Sequence, residues 1–177
     1  MKSLAKTVEV TANVAIVLVA ALLAVVLVKN YLLKPAAPAA APPPKIAAGT
    51  KLSLPGVNWS GNKRTLVLAL SSNCHFCSES AEFYRRLNHE TSNRGDARLL
   101  AVLPQETGEG RAYLEKLGVT VDEVRQASLD SIGVVGTPTL LLVNDEGSVT
   151  ASWVGKLPSA KEGEVLDALL GHTVSSD

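Results

Sequence analysis

The chain has 177 residues, with 17 basic and 17 acidic side chains and a formal net charge near zero, so its overall balance does not argue for nucleic acid as a partner. The apolar fraction of 46% is ordinary for a globular protein, but much of it lies in one N-terminal run. The only two cysteines, Cys74 and Cys77, stand three positions apart.

Residues 1–9 form a short flank carrying Lys2 and Lys6. Every residue from Val14 to Val28 is apolar. With Val10 to Asn13 the run reaches roughly 19 residues, which at about 1.5 Å each approaches a hydrocarbon core of about 30 Å. Residues 10–33 are therefore expected to be a transmembrane anchor. A cleaved signal peptide is the competing reading, with Lys2 and Lys6 as its charged region and Ala37 and Ala39 near a cleavage site. The run is long for that role, and Lys29, Asn30 and Lys34 separate it from those alanines. Lysines on both sides leave the positive-inside rule little to choose an orientation by.

Residues 34–49 read as a linker, since Pro35 to Pro44 (PAAPAAAPPP) offers nothing large to bury. Such a segment is an extended, polyproline-like spacer of roughly 3 Å per residue rather than a ligand for a proline-binding module. Residues 50–172 are the expected globular domain, long enough for one core and too short for two, and 173–177 a C-terminal tail.

Within the domain, Lys51 to Leu54 is a candidate edge strand, Pro55-Gly56 a turn and Val57 to Trp59 a brief return. Thr65 to Leu70 is almost wholly apolar, the pattern of a central strand covered on both faces. Ser71 to Asn73 is a turn, and the residues after Cys74 enter a helix whose long part, Glu79 to Glu90, carries Ala81, Phe83, Tyr84 and Leu87. Ala97 to Leu103 is a strand closed by Pro104, and Gly108 to Leu117 a helix ended by Gly118; Val121 to Ala127 fits a strand or a short helix. Gly136-Thr137-Pro138 introduces a strand over Thr139 to Val143, and a turn at Asn144 to Gly147 joins it to Val149 to Val154 as a hairpin. Ser159 to Leu170 is a last amphipathic helix, stopped by Gly171. This order predicts an α/β sheet covered by helices on both faces, with Trp59 and Trp153 in core or hairpin packing.

The dithiol carries the chemistry. Exchange needs one thiolate to attack and a second thiol close enough to resolve the mixed disulfide, and two intervening residues at a helix start bring both sulfurs within reach. Cys74 lies beside unpaired helix N–H groups and the positive end of the helix dipole, which favour its thiolate; Cys77 is a turn further in. Cys74 is thus expected to attack and Cys77 to resolve. A purely structural bridge closing so short a loop would remove little unfolded-state entropy. His75 is a candidate for tuning the couple, as an imidazolium beside the thiolate or else as a plain exposed turn residue. Phe76 belongs to an apolar rim that a partner polypeptide could touch, and His89 and His172 read as solvated.

A strand, Cys74-His75-Phe76-Cys77, a helix, and far downstream Gly136-Thr137-Pro138 before a strand and hairpin resemble the thioredoxin fold. With the anchor, the spacer and Leu54-Pro55-Gly56-Val57, the chain is similar to the membrane-tethered, extracytoplasmic thioredoxins of the TlpA and ResA kind. The resemblance covers the domain from about Thr50 onwards. It implies a central mixed sheet flanked by helices and a thiol-disulfide oxidoreductase that reduces protein disulfides, such as those of apocytochromes. It also implies a cis bond before Pro138 opposite the dithiol, where the backbone of Thr137 would pair with an extended substrate segment. The implied setting is a single-pass inner membrane protein with its domain in the periplasm or cell exterior, served by a membrane electron donor, without cofactor, metal or nucleic acid.

Several positions depart from the family. Asn73 stands where many thioredoxins have Trp, Phe76 where they have Pro, and no acid lies between Thr65 and Asn73, so the buried acid that assists the resolving cysteine, expected near Leu68, is missing. A disulfide oxidase or isomerase is the alternative within enzymes. Outside them stand a copper-delivery protein, for which no histidine follows Pro138 until His172, and a redox-inert anchored adaptor.

Overall fold

The computed structural model describes residues 2–27, 29, 45–92 and 95–171. The chain falls into two compact units, the first holding helix α1 (Lys2–Leu27) and the second the α/β domain. Among the described residues no helix is long and apolar enough to cross a membrane. Residues 28 and 30–33 of the expected span, residues 34–44 of the linker and the tail lie outside the described residues. Val14, Ile16, Leu18 and Leu22 on α1 are all exposed.

The domain is built from β1 (Arg64–Ala69), α2 (His75–Glu79), α3 (Ala81–Ser92), β2 (Ala97–Leu103), α4 (Thr107–Lys116), β3 (Glu123–Gln126), β4 (Thr139–Asn144), β5 (Val149–Val154) and α5 (Ser159–Leu170). The five strands form one sheet in the order β3-β2-β1-β4-β5. β1 and β2 are parallel, as are β2 and β3, whereas β4 runs antiparallel to β1 and to β5. The sheet is therefore mixed and flanked by helices, and Val121 to Ala127 resolves as a strand because Glu123–Gln126 pairs with Leu100–Leu103.

Alternation along β1 divides the interior. Leu66, Leu68 and Leu70 enter one core with Phe83, Tyr84 and Leu87 of α3, Leu114 of α4, and Val165 and Leu169 of α5. Val67 and Ala69 enter a second core with Leu100, Val102, Leu141 and Val143. Helices on both faces were expected, but the second core is closed by Leu52, Leu54, Ile132 and Val134, and no residue of α3, α4 or α5 belongs to it. The reason is local: between β3 and β4 the chain makes only a three-residue 3-10 turn, Asp130–Ile132, stopped by Gly133 at φ 74°. Lys51 to Leu54, expected as an edge strand, makes a single bridge from Lys51 to Ser148.

One further difference bears on the site. The helix after the cysteines is two helices, broken at Ser80, whose backbone N–H and Oγ both bond the Phe76 carbonyl, at 3.2 and 2.8 Å. A serine hydroxyl competing for a backbone carbonyl bends a helix in this way. Trp153 is buried in the first core and Trp59 packs on the second, as packing residues.

Candidate active site

β1 ends at Ala69 in the middle of the sheet, and the turn that follows delivers Cys74 to the sheet's C-terminal edge. Ser71 fixes that turn: its carbonyl accepts from the Cys74 N–H at 3.0 Å. Cys74 is the N-cap of α2, with extended backbone (φ −94°, ψ 112°), and its Sγ accepts from the Cys77 N–H at 3.3 Å. A side chain capping the third helical residue satisfies an otherwise unpaired donor; with sulfur in that place, the same bond stabilises a thiolate. Because α2 spans only five residues, this direct N–H contact carries more of the effect than a helix dipole can.

Cys77 is fully buried in the first core, while Cys74 is half-buried, and both are free thiols. Burial opposes the charge on Cys74. Hydrogen bonds from the Cys77 thiol, the Thr137 side chain and the backbone N–H groups of Cys77 and Phe76 outweigh it, holding Cys74 below its ordinary value. One contact acts the other way, since the Cys74 thiol also donates to the Thr137 carbonyl at 3.3 Å and that bond favours the protonated form. For Cys77, burial comes first and the hydrogen bond with Cys74 second, and together they push the thiol up to about 12. Two thiols of one chemical type are thus set far apart by their surroundings.

Opposite the dithiol, the Thr137–Pro138 peptide bond is cis. The Pro138 carbonyl accepts from Gly155 N–H at 2.7 Å, which ties this loop to the end of β5. Phe76 (54% exposed) and Val135 (64%) are the large apolar side chains left open in this domain among the described residues. The structure therefore brings together Cys74, Cys77 and Thr137 through contacts, with Pro138 next to Thr137 across the cis bond, and leaves Phe76 open to solvent two residues after Cys74. His75 points to solvent (80% exposed), with its Nε2 3.0 Å from Glu79. Glu79 also pairs with Lys156 at 3.0 Å, and Lys156 with His75 holds its carboxyl below the usual range. The pairing of Glu79 with Lys156, 77 residues away, has no signal in the sequence.

Leu68, where a buried acid was sought, lies fully buried in the same core as Cys77. Two phenols missed in the sequence stand around that core: Tyr84 on α3 and Tyr113 on α4, whose Oη lies 3.2 Å from Ser78 Oγ. Burial raises both, and charge on Cys77 raises them further. Among the described residues, no group of three or more His, Cys, Asp or Glu side chains could hold a metal ion. His89 is exposed beside Glu90, and His172 lies outside the described residues.

No family model matches the chain, and no curated protein matches it in sequence. Solved structures do match. The thioredoxin domain of a thiol-disulfide oxidoreductase from Bacteroides vulgatus superposes with a TM-score of 0.56 at 18% identity, covering 70% of this chain and 99% of that one. The chain has the thioredoxin fold. A thiol:disulfide interchange protein of the thioredoxin family from Chlorobium tepidum matches this fold at a TM-score of 0.53 and 19% identity, covering 71% of this chain and 99% of its own. A thiol:disulfide interchange protein from Bacteroides sp. matches at 0.53 and 20%, covering 73% and 91%. In the thioredoxin-fold domain described here, Cys74 lies half-buried beside the cis Thr137–Pro138 loop and Cys77 lies in the core behind it.

Proposed function

We propose that this protein is a thiol-disulfide oxidoreductase that reduces disulfides in protein substrates, with Cys74 attacking and Cys77 resolving. The observation that carries the reading is the asymmetry of the pair. Cys74 is half-exposed, capped by N–H donors and lowered, whereas Cys77, three residues on, is sealed in the core and raised to about 12. An attacking thiol needs the first environment, and a resolving thiol that must not react before a mixed disulfide forms suits the second. Phe76 and Val135 supply an apolar rim for an unfolded segment, Thr137 and Pro138 a backbone against which it can lie, and His75 an adjustable charge.

The apolar run of residues 10–33 anchors the domain to the inner membrane, and the proline-rich segment after it holds the domain off the surface, facing the periplasm or cell exterior. Support comes from the sequence of the run and from the exposed leucines and valines of α1, which call for lipid or a partner. Apocytochrome cysteines are the substrates this setting favours, with electrons supplied by a membrane donor. Equilibration of the full-length chain with glutathione tests the reading. It predicts one two-electron couple at about −270 mV or lower; a couple near −120 mV would make the protein an oxidant, and no couple at all would end the proposal.

A further inference from the structure

One carboxylate beside the dithiol faces an imidazole and an ammonium at once. Glu79 closes α2, two residues after Cys77, and its Oε1 lies 3.0 Å from His75 Nε2, one turn earlier on the same helix. Its Oε2 accepts from Lys156 Nζ at 3.0 Å, in the loop between β5 and α5. Lys156 follows Gly155, whose N–H donates to the Pro138 carbonyl at 2.7 Å, so this second partner comes from a loop braced against the cis-proline. The two contacts, Lys156 before His75, hold the Glu79 carboxyl below its usual range and keep it ionised.

His75 follows Cys74 directly in the chain, yet its ring nitrogen is turned to Glu79. The Cys74 sulfur is bonded instead to the Cys77 N–H and the Thr137 carbonyl, both at 3.3 Å. An imidazolium beside an attacking sulfur favours the thiolate, whereas one paired with a carboxylate has little net charge to lend. The other charged groups around Glu79 are Glu82 and Arg86 of α3, which line one cleft with it and Lys156. Arg86 is held by Glu162 of α5 at 2.7 Å. Among the described residues, Lys156 is therefore the cation that competes with His75 for the Glu79 carboxylate.

We propose that Glu79 is a positioning residue for the exchange reaction: it holds the His75 imidazole on its own carboxylate and cancels its charge, which keeps the dithiol a reductant. The inference rests on the exchange reading above and adds what sets its direction. In exchange with oxidised glutathione, the Cys74–Cys77 bond forms and the glutathione S–S bond breaks. Two electrons pass from the dithiol to the two glutathione sulfurs, which take up the protons the cysteines release. The Cys74 thiolate exists only on the reduced side of that reaction, so any group that stabilises it favours the dithiol and makes the couple more oxidising. Glu79 withholds one such group.

The test combines the pH profile of Cys74 labelling by iodoacetamide with equilibration against glutathione, both on the full-length chain. Glu79→Gln frees the imidazole. The labelling midpoint is expected to move down by about half a pH unit, a gain of about threefold in thiolate, and the couple to move toward oxidation by about threefold, or about 15 mV. In a His75→Gln background the same Glu79→Gln change is expected to move neither readout. Lys156→Met leaves the carboxylate to His75 alone, so it is expected to leave both readouts in place or to shift them the opposite way. If Glu79 merely braces α2 against the proline loop, Glu79→Gln and Lys156→Met act alike; if it acts only as a nearby negative charge, its removal gives the same shift with and without His75. Either result overturns the assignment, as does no shift in Glu79→Gln, and Glu79→Ala serves if that variant does not fold. A wild-type chain with no glutathione couple fails the exchange reading and this inference together, whereas a wild-type couple that Glu79→Gln leaves in place fails this inference alone.

Discussion

Labelling of the two cysteines by iodoacetamide at neutral pH measures the asymmetry on which the proposed chemistry depends. Cys77 stands at about 12 against an ordinary value of 9.0, and Cys74 lies below that value. At pH 7 a thiol with a pKa of 12 is ionised to roughly one part in 10⁵, and one at 9.0 to roughly one part in 10², so the populations differ by about a thousandfold or more. A thiolate of higher pKa is the stronger nucleophile, with a Brønsted slope of about 0.4–0.5, which over three units returns a factor of roughly 20–30. The remainder, about 30-fold or more in favour of Cys74, is increased by the complete burial of Cys77. Mass spectrometry of peptides from the briefly labelled, reduced full-length chain reads the ratio directly. Equal labelling, or labelling of Cys77 first, would refute the reasoning.

Stability of the reduced chain should depend on pH through Cys77. Its thiol keeps its proton to about 12 when folded and loses it near 9.0 when unfolded, so between those values the unfolded state binds fewer protons and stability falls as pH rises. The difference between wild type and Cys77→Ser is expected to change by up to about 1.4 kcal/mol per pH unit above pH 9 and to be flat below it, as read by urea unfolding. Gly147→Ala should destabilise by about 1–3 kcal/mol, because Gly147 holds φ 77° in the β4–β5 turn and an added Cβ would lie 2.9 Å from Trp59 Cδ1; a thermal shift of zero would contradict it. Phe76→Ser with Val135→Ser removes two exposed apolar side chains, so stability should stay within about 0.5 kcal/mol while reduction of an unfolded, disulfide-bonded protein slows more than reduction of glutathione disulfide. Equal slowing on both substrates would show that the rim does not contact polypeptide.

Much of this architecture was legible because the chain punctuates it strongly. β2 runs Ala97–Leu103 and stops before Pro104, β5 runs Val149–Val154 after a turn ending in Gly147, and α5 runs from Ser159 after Pro158 to a left-handed Gly171. The dithiol stood out by residue type and spacing, whereas the Thr137–Pro138 pair stood out only through the resemblance to the thioredoxin fold. What escaped was set by contacts between distant residues. Nothing in Glu79–Glu90 signals a break at Ser80, since that break depends on one hydroxyl choosing the Phe76 carbonyl over solvent. The second core reads in the strands, but its cover comes from Leu52, Leu54, Ile132 and Val134, which lie outside the sheet's strands and the α-helices. Tyr84 looked like any apolar helix position, because the state of its hydroxyl is a property of packing and not of spacing.

The claim that Cys74 exchanges disulfides with protein substrates is tested most directly by trapping. A full-length Cys77→Ser chain expressed in a bacterial host can attack but cannot resolve, so it should accumulate mixed disulfides through Cys74 that vanish on reduction and are absent from the Cys74→Ser, Cys77→Ser double variant. A folded Cys77→Ser chain that captures no protein under these conditions would contradict the account.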